Sequence, residues 1–270
     1  MYIKFLFLVI FFVILTGCAP QAADLNLSGS DLINTPKTEN INTSVNKNTN
    51  QNLNANLTNN TPPVEIPVVK PVVNEIKKLN LEVPFATQAP YSVWDDLHNE
   101  ACEEASMIIA YYYFNNKKLN ADLMEQEILS LISWEEKNGY VVDVTAQETV
   151  DILSAKFNLT AKLIYTVTVE QIKSELLKGN LVIIPVAGRL LGNPNFKTPG
   201  PLYHMLVIRG FDEDEFITND PGTRKGENYR YKYKTIINAI HDWPKSGFTK
   251  EHVTEEEMNQ GQKVIISVSK

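Results

Sequence analysis

Cysteine is nearly absent from this chain of 270 residues, which holds only Cys18 and Cys102. No disulfide framework can therefore carry the fold, and each cysteine needs its own reason. Histidine is almost as scarce: His98, His204, His241 and His252 are the whole supply of side chains that titrate near neutrality. His98 with Asp95, Asp96 and Glu100 crowds one loop without paired metal-ligand spacing, so no metal is expected, and neither is any other cofactor. A glycine-rich phosphate cradle, a basic patch and an internal repeat are all missing. The formal charge of −7 further argues against a nucleic-acid partner.

Hydrophobic residues make up 43% of the chain, enough for one or two ordinary domains, but they are unevenly spread. MYIKFLFLVIFFVILTGCAP has one early charge at Lys4, then an apolar run, then small residues ending at Cys18. This is the layout of an export signal, and it is too short for a comfortable membrane span. LTGC, Leu15 to Cys18, resembles the lipobox of bacterial lipoproteins. That likeness implies that Cys18 takes a diacylglyceryl group and becomes the mature N-terminus, on the outer face of a bacterial membrane. Cys18 is then a thioether, and Cys102 is left as a lone thiol, either buried and inert or free and reactive. Residues 19–78 are rich in Asn and Thr and then in Pro and Val. Their composition cannot bury enough apolar surface to offset the entropy of ordering. They are read as a solvated tether, with a mean span of roughly 40 Å.

Residues 79–270 form the globular unit. After a short strand and an aromatic-bearing loop, LNLEVPFATQAPYSVWDD, come three helical patterns: one starting at Cys102, then ADLMEQEILSLISWEE and TAQETVDILSAKFN. AKLIYTV reads as a strand. TVEQIKSELLKGN reads as a helix with Thr168 as its cap and Gly179 at its end. Strand patterns follow in LVIIPVAG, YHMLVIRGFD, EFITND, YRYKY and KVIISVS. Helices first and strands afterwards predict an α+β fold with a mainly antiparallel sheet.

Cys102 opens its helix, where unpaired backbone amides and the helix dipole favour a thiolate. Glu103 and Glu104 also suit a helix start, yet they oppose the thiolate if they face the sulfur. Free cysteines are among the most buried residues, so Cys102 needs a partner before it reads as reactive. His98, His241 and His252 are expected on the solvated surface. His204 stands before an apolar strand, on one face with Leu206 and Ile208. The next strand ends at Asp220, and a hairpin turning around Asp212 to Glu215 brings His204 and Asp220 side by side. An acid beside an imidazole fixes its tautomer and stabilises its cation. The loop GRLLGNPNFKTPGPLY, Gly188 to Tyr203, reads either as a lid or cleft wall or as an ordinary connection.

VPFATQAPYSVWDD (Val83 to Asp96), ACEEAS (Ala101 to Ser106) and HMLVIRGFD leading to NDPG (His204 to Gly222) resemble the papain-like cysteine peptidases of family thirty-nine. Its best-described members remove double-glycine leaders from bacteriocins, and the nearer likeness is to stand-alone exported relatives. The resemblance implies Cys102 as nucleophile, His204 as base, Asp220 as the group that orients the base, and Gln88 as an oxyanion donor. Trp94 and Tyr203 are the candidate substrate contacts. Two departures stand out: Glu103 occupies a position where the leader-removing enzymes usually have glycine, and the transporter to which they belong is not seen, so the substrate does not carry over. The expectation is a papain-like α+β domain, its helical half carrying Cys102 and its antiparallel sheet carrying His204 and Asp220. It is read as a monomeric, lipid-anchored, extracytoplasmic cysteine peptidase that cleaves peptide or isopeptide amides through a thioester. Its partners are a peptide or protein substrate, a cell-wall peptide among them, and the membrane through its lipid. The rivals are a peptidoglycan stem-peptide amidase and a non-catalytic peptide- or wall-binding module.

Overall fold

The computed structural model describes residues 76–244, 248 and 250–270. The signal segment, Cys18 and nearly all of the tether lie outside them. The elements run β1 (Leu79–Asn80), α1 (Asp96–Asn99), α2 (Cys102–Phe114), α3 (Ala121–Lys137), α4 (Ala146–Phe157), β2 (Thr160–Ile164), α5 (Val169–Leu177) and β3 (Leu181–Ala187). They continue as β4 (Tyr203–Asp212), β5 (Glu215–Asn219), β6 (Tyr229–Lys232), α6 (Tyr233–Ala239), α7 (Glu255–Met258) and β7 (Ile265–Ser269). Local chemistry sets most helix starts. Asn120 and Thr168 accept from backbone N–H groups of the first turns of α3 and α5, and Thr145 with Glu148 forms a reciprocal capping box at α4. YRYKY is shorter as a strand than expected: β6 stops at Lys232, and Tyr233 begins α6, whose Ile236 and Ala239 are buried.

The sheet is antiparallel throughout, in the order β2-β7-β3-β4-β5-β6, with β1 beside β4. Its two central strands read as continuous apolar runs because both faces are covered. Leu181, Ile183, Met205 and Val207 pack with residues of α2, α3 and α4. Val182, Ile184, Leu206 and Ile208 pack with Ile172 and Leu176 of α5 and Ile236 of α6. Pro185 lies past Ile183, the last β3 residue paired with β7, so its missing N–H breaks no pairing on that side. Helix α2 has no amphipathic stripe because it is buried nearly all round.

Two histidines depart from the surface expectation. His98 is buried, with Nδ1 2.7 Å from Asp95 and Nε2 3.0 Å from Glu125. Burial alone would lower its pKa, but the two carboxylates raise it. His241 is half-buried, with Nδ1 2.8 Å from the Gly261 carbonyl. His252 is exposed.

Between Ile208 and Gly210 the β4–β5 register shifts, and the bulged residue Arg209 turns inward to donate to the carbonyls of Leu81 and Val83 and to Asn219. This fixes the strand leading to the Gln88 loop against the sheet. β1 crosses so close to Gly210 that a Cβ there would lie 2.9 Å from Asn80 Cα. Gly210→Ala is therefore expected to destabilise the protein by about 1–3 kcal/mol through overpacking, read as a lower urea midpoint. An unchanged midpoint would show that β1 is loosely held.

Candidate active site

β4 and β5 are antiparallel neighbours whose last paired step sets Val207 opposite Asn219. His204 and Asp220 lie beyond that step, toward one end of these two strands. His204 Nε2 is 2.8 Å from Asp220 Oδ1, and both side chains are buried. Asp220 also accepts from Tyr231 Oη (2.6 Å), the Gly222 backbone N–H (3.1 Å) and Asn193 Nδ2 (3.2 Å). Burial alone would push this carboxyl up, but the charge and hydrogen bond of His204 and the bonds from Tyr231 and Gly222 hold it below the usual range. An ionised Asp220 places the His204 proton on Nε2 and leaves Nδ1 as the basic nitrogen. The ring is fixed from the sides as well: Phe196 meets it edge-on at 5.4 Å. The Gly188–Tyr203 loop is thus a support for the His204–Asp220 pair, through Asn193 and Phe196.

Cys102 is the first residue of α2, after Ala101, which offers no capping side chain. Its sulfur faces the main-chain N–H of Met205, the residue after His204, and donates to Glu103 Oε2 at 2.8 Å. No hydrogen bond joins it to the His204 ring. The expectation of a thiol acidified by its helix start is reversed. Burial pushes the Cys102 thiol well up, Glu103 and Glu104 push it further, and the Met205 N–H opposes them only in part. Both glutamates are buried, and Glu103 meets the sulfur.

Gln88 sits between the two halves. Its backbone N–H donates to the Pro221 carbonyl, next to Asp220, at 3.0 Å. Its Nε2 donates to the carbonyls of His98 (2.9 Å) and Asn99 (3.2 Å), just ahead of Cys102. Its Oε1 is buried without a partner. The amide expected at an oxyanion is thus engaged with backbone. Tyr203 also departs from its expected place in a cleft: it is buried, its hydroxyl donates to the Val144 carbonyl, and its ring packs 5.2 Å from Trp243. Trp94 is exposed. Sequence reasoning passed over Asn193 and Tyr231, which hold Asp220, and over the inward turn of Glu103. The glycine usual at position 103 in the resembling enzymes was the one available signal for the last.

Residues 80–251 match the family described as the Peptidase_C39 like family. The chain belongs to this family. A solved structure described as that of a C39-like peptidase from Bacillus anthracis matches 72% of this chain and 98% of its own, at 14% identity and a TM-score of 0.46. No curated protein matches the chain. As a Peptidase_C39 like protein it has a papain-like α+β fold and is a peptidase-like hydrolase by family.

With the sulfur buried beside Glu103, iodoacetamide should label Cys102 of the folded full-length protein slowly at pH 7, faster only above the ordinary thiol range near about 8.5. Glu103→Gln removes a carboxyl that opposes the thiolate once it ionises and should shift the onset of labelling to lower pH by about one unit, a tenfold gain in rate at a fixed pH on the rising limb. Rapid labelling of the wild type at pH 6, measured by mass spectrometry, would contradict the raised thiol.

Proposed function

We propose that this Peptidase_C39 like protein is a thiol-dependent hydrolase of peptide or isopeptide amide bonds, with Cys102 as nucleophile, His204 as base and Asp220 as its orienting group. The buried His204–Asp220 bond of 2.8 Å carries the reading, because a fixed, acid-backed imidazole is what a cysteine at the neighbouring helix start needs. The bond to Glu103 is a resting arrangement. In the reaction the Cys102 thiol turns from Glu103, gives its proton to His204 Nδ1, and its sulfur attacks the amide carbonyl carbon. His204 returns the proton to the leaving nitrogen as the C–N bond breaks, which leaves a thioester. A water then gives a proton to His204 while its oxygen attacks the thioester. The acid is released and the proton returns to sulfur. The oxyanion is met by the Cys102 backbone N–H at the start of α2. Gln88 Nε2 joins it on giving up one of its two carbonyl acceptors.

A second reading is a peptide- or wall-binding module without turnover. The Cys102–Glu103 bond and the engaged Gln88 amide favour it. Under the hydrolase reading, Cys102→Ala abolishes turnover while leaving substrate binding nearly unchanged, and Gln88→Ala lowers kcat by about 10²–10³. Asp220→Asn keeps partial activity, and Gln88→Ala with Cys102→Ala is no worse than Cys102→Ala alone. Peptides, isopeptides and wall fragments should be screened for release and for an acyl-enzyme mass. Binding of every candidate without hydrolysis, with Cys102→Ala indistinguishable from wild type, would leave only the module.

The proposal includes export and lipid attachment at Cys18, supported by the apolar run and LTGC at Leu15 to Cys18. The mature protein should partition with membranes and carry a lipidated N-terminus, and Cys18→Ser should accumulate unprocessed or in a released form. Recovery of the wild type as an unmodified secreted protein would reject the anchor.

A further inference from the structure

Beside the first turn of α2 lies a pocket of about 470 Å³. Asp96, Glu100, Glu104, Glu135 and Glu136 all line it, and Glu103 and Asp143 lie behind it, buried. Glu104 is 4% and Glu135 5% exposed, yet Glu104 Oε2 and Glu135 Oε1 are buried without a hydrogen-bond partner. Buried carboxylate oxygens left unsatisfied are costly, and both side chains line the pocket, so rotation of either carboxyl brings its orphaned oxygen to a donor seated there. Between the carboxylates the wall is apolar, with Leu97, Ile132 and Val142.

The geometry points to this pocket as the binding site for a cationic side chain of the substrate, an ammonium or guanidinium on an aliphatic stem, held by Glu104 and Glu135. An apolar wall with charge at its depth suits a side chain that buries its methylenes and pairs its head. A bare metal ion fits poorly. The volume far exceeds what an ion fills, and among the described residues no three His, Cys, Asp or Glu side chains are disposed to hold one. The charge of Glu104 acts on the Cys102 thiol, so a cation paired with Glu104 lies within electrostatic reach of the sulfur. That the cation belongs to a substrate rests on the hydrolase reading; the pocket does not.

The charge state of the site gives it a second signature. The charge of Glu135 acts on Glu104 and disfavours ionising both carboxyls together. Burial raises Glu104 well above its usual range, and burial raises Glu135 to about 7. Glu103 on α2 faces the pair, as do Glu136 on α3, Tyr140 and, beyond Glu103, Asp143. Asp96 and Glu100 line the side toward α1, and Lys156 of α4 acts on Glu135 in the opposite sense. A cation entering this set drives protons off it, so affinity rises with pH through about 7.

The test is calorimetric titration of the full-length protein with Nα-acetyl-lysine methylamide and with its neutral isostere Nα-acetyl-norleucine methylamide. The lysine probe should bind at least about tenfold more tightly, one step of 1.4 kcal/mol. It should release protons at pH 6, seen as a heat that depends on buffer, and bind more tightly at pH 8. Glu135→Gln should lose the preference for lysine. Glu136→Gln, on the exposed rim where folding is not at stake, should weaken it by a few-fold while leaving norleucine unchanged. Equal binding of the two probes, or no change in either variant, would overturn the pocket, as would competitive displacement of lysine by Ca²⁺. Cys102→Ala should bind the lysine probe as the wild type does. Lysine binding without any turnover would sink the hydrolase reading and leave the pocket. An active enzyme that cleaves lysine and norleucine peptides equally would sink the substrate assignment alone.

Discussion

A fully buried carboxylate can stay ionised in a protein interior only if donors surround it, and at Asp220 four do. They come from four segments: His204 from β4, Tyr231 from β6, Gly222 from the turn after β5 and Asn193 from the loop before β4. Each bond is charge-assisted and shielded from water. Removing the carboxylate would leave three side-chain donors without their acceptor and one edge of the sheet without its knot. The strand pairing that places these segments also determines that His204 keeps one basic nitrogen.

The opposite condition holds a few residues from Cys102. Glu103, Glu104 and Glu135 are as buried as Asp220, but no ring of donors meets them, and each is pushed toward its neutral form by burial. This decides how the thiol behaves. An ionised Glu103 opposes a sulfur anion, whereas a protonated one keeps an O–H that can donate to it. Burial first, and then the neighbouring carboxyls, outweigh the helix dipole at the Cys102 thiol. The dipole contributes at most a kcal/mol or two, less than the desolvation of a fully buried charge.

What the sequence disclosed follows from the range of each interaction. Thr145 with Glu148 caps α4 three residues apart, and His204 with Asp220 closes one hairpin; both are written in local spacing. So is the α+β order with its antiparallel sheet. The burial of His98 depends on Glu125, 27 residues away, and Tyr203 finds the Val144 carbonyl 59 residues away, distances over which composition carries no signal. Glu103 and Glu104 misled for a different reason. Acids in a first helical turn are ordinary on a surface, and only the packing of α2 against the sheet turns that turn inward. Gln88 was visible as a motif residue, but the carbonyls that engage it belong to α1, a four-residue helix in a stretch whose pattern reads as loop.

The two chemical groups of the site are held with unequal firmness. The His204 ring is gripped at Nε2 by Asp220, met edge-on by Phe196, and faced by Gly222 so closely that a Cβ there would lie 2.8 Å from its Cε1. Rotation of that ring would break the buried bond to Asp220 and is confined by Phe196 and Gly222, so the ring is fixed. Cys102 is held by one weak S–H donor bond to a side chain with its own rotamer freedom. Rotation about the single Cα–Cβ bond of Cys102 is the one torsion of its side chain that moves the sulfur relative to Glu103. Under the proposed mechanism, assembly of the site is therefore a motion of the Cys102 sulfur away from Glu103 toward a fixed imidazole.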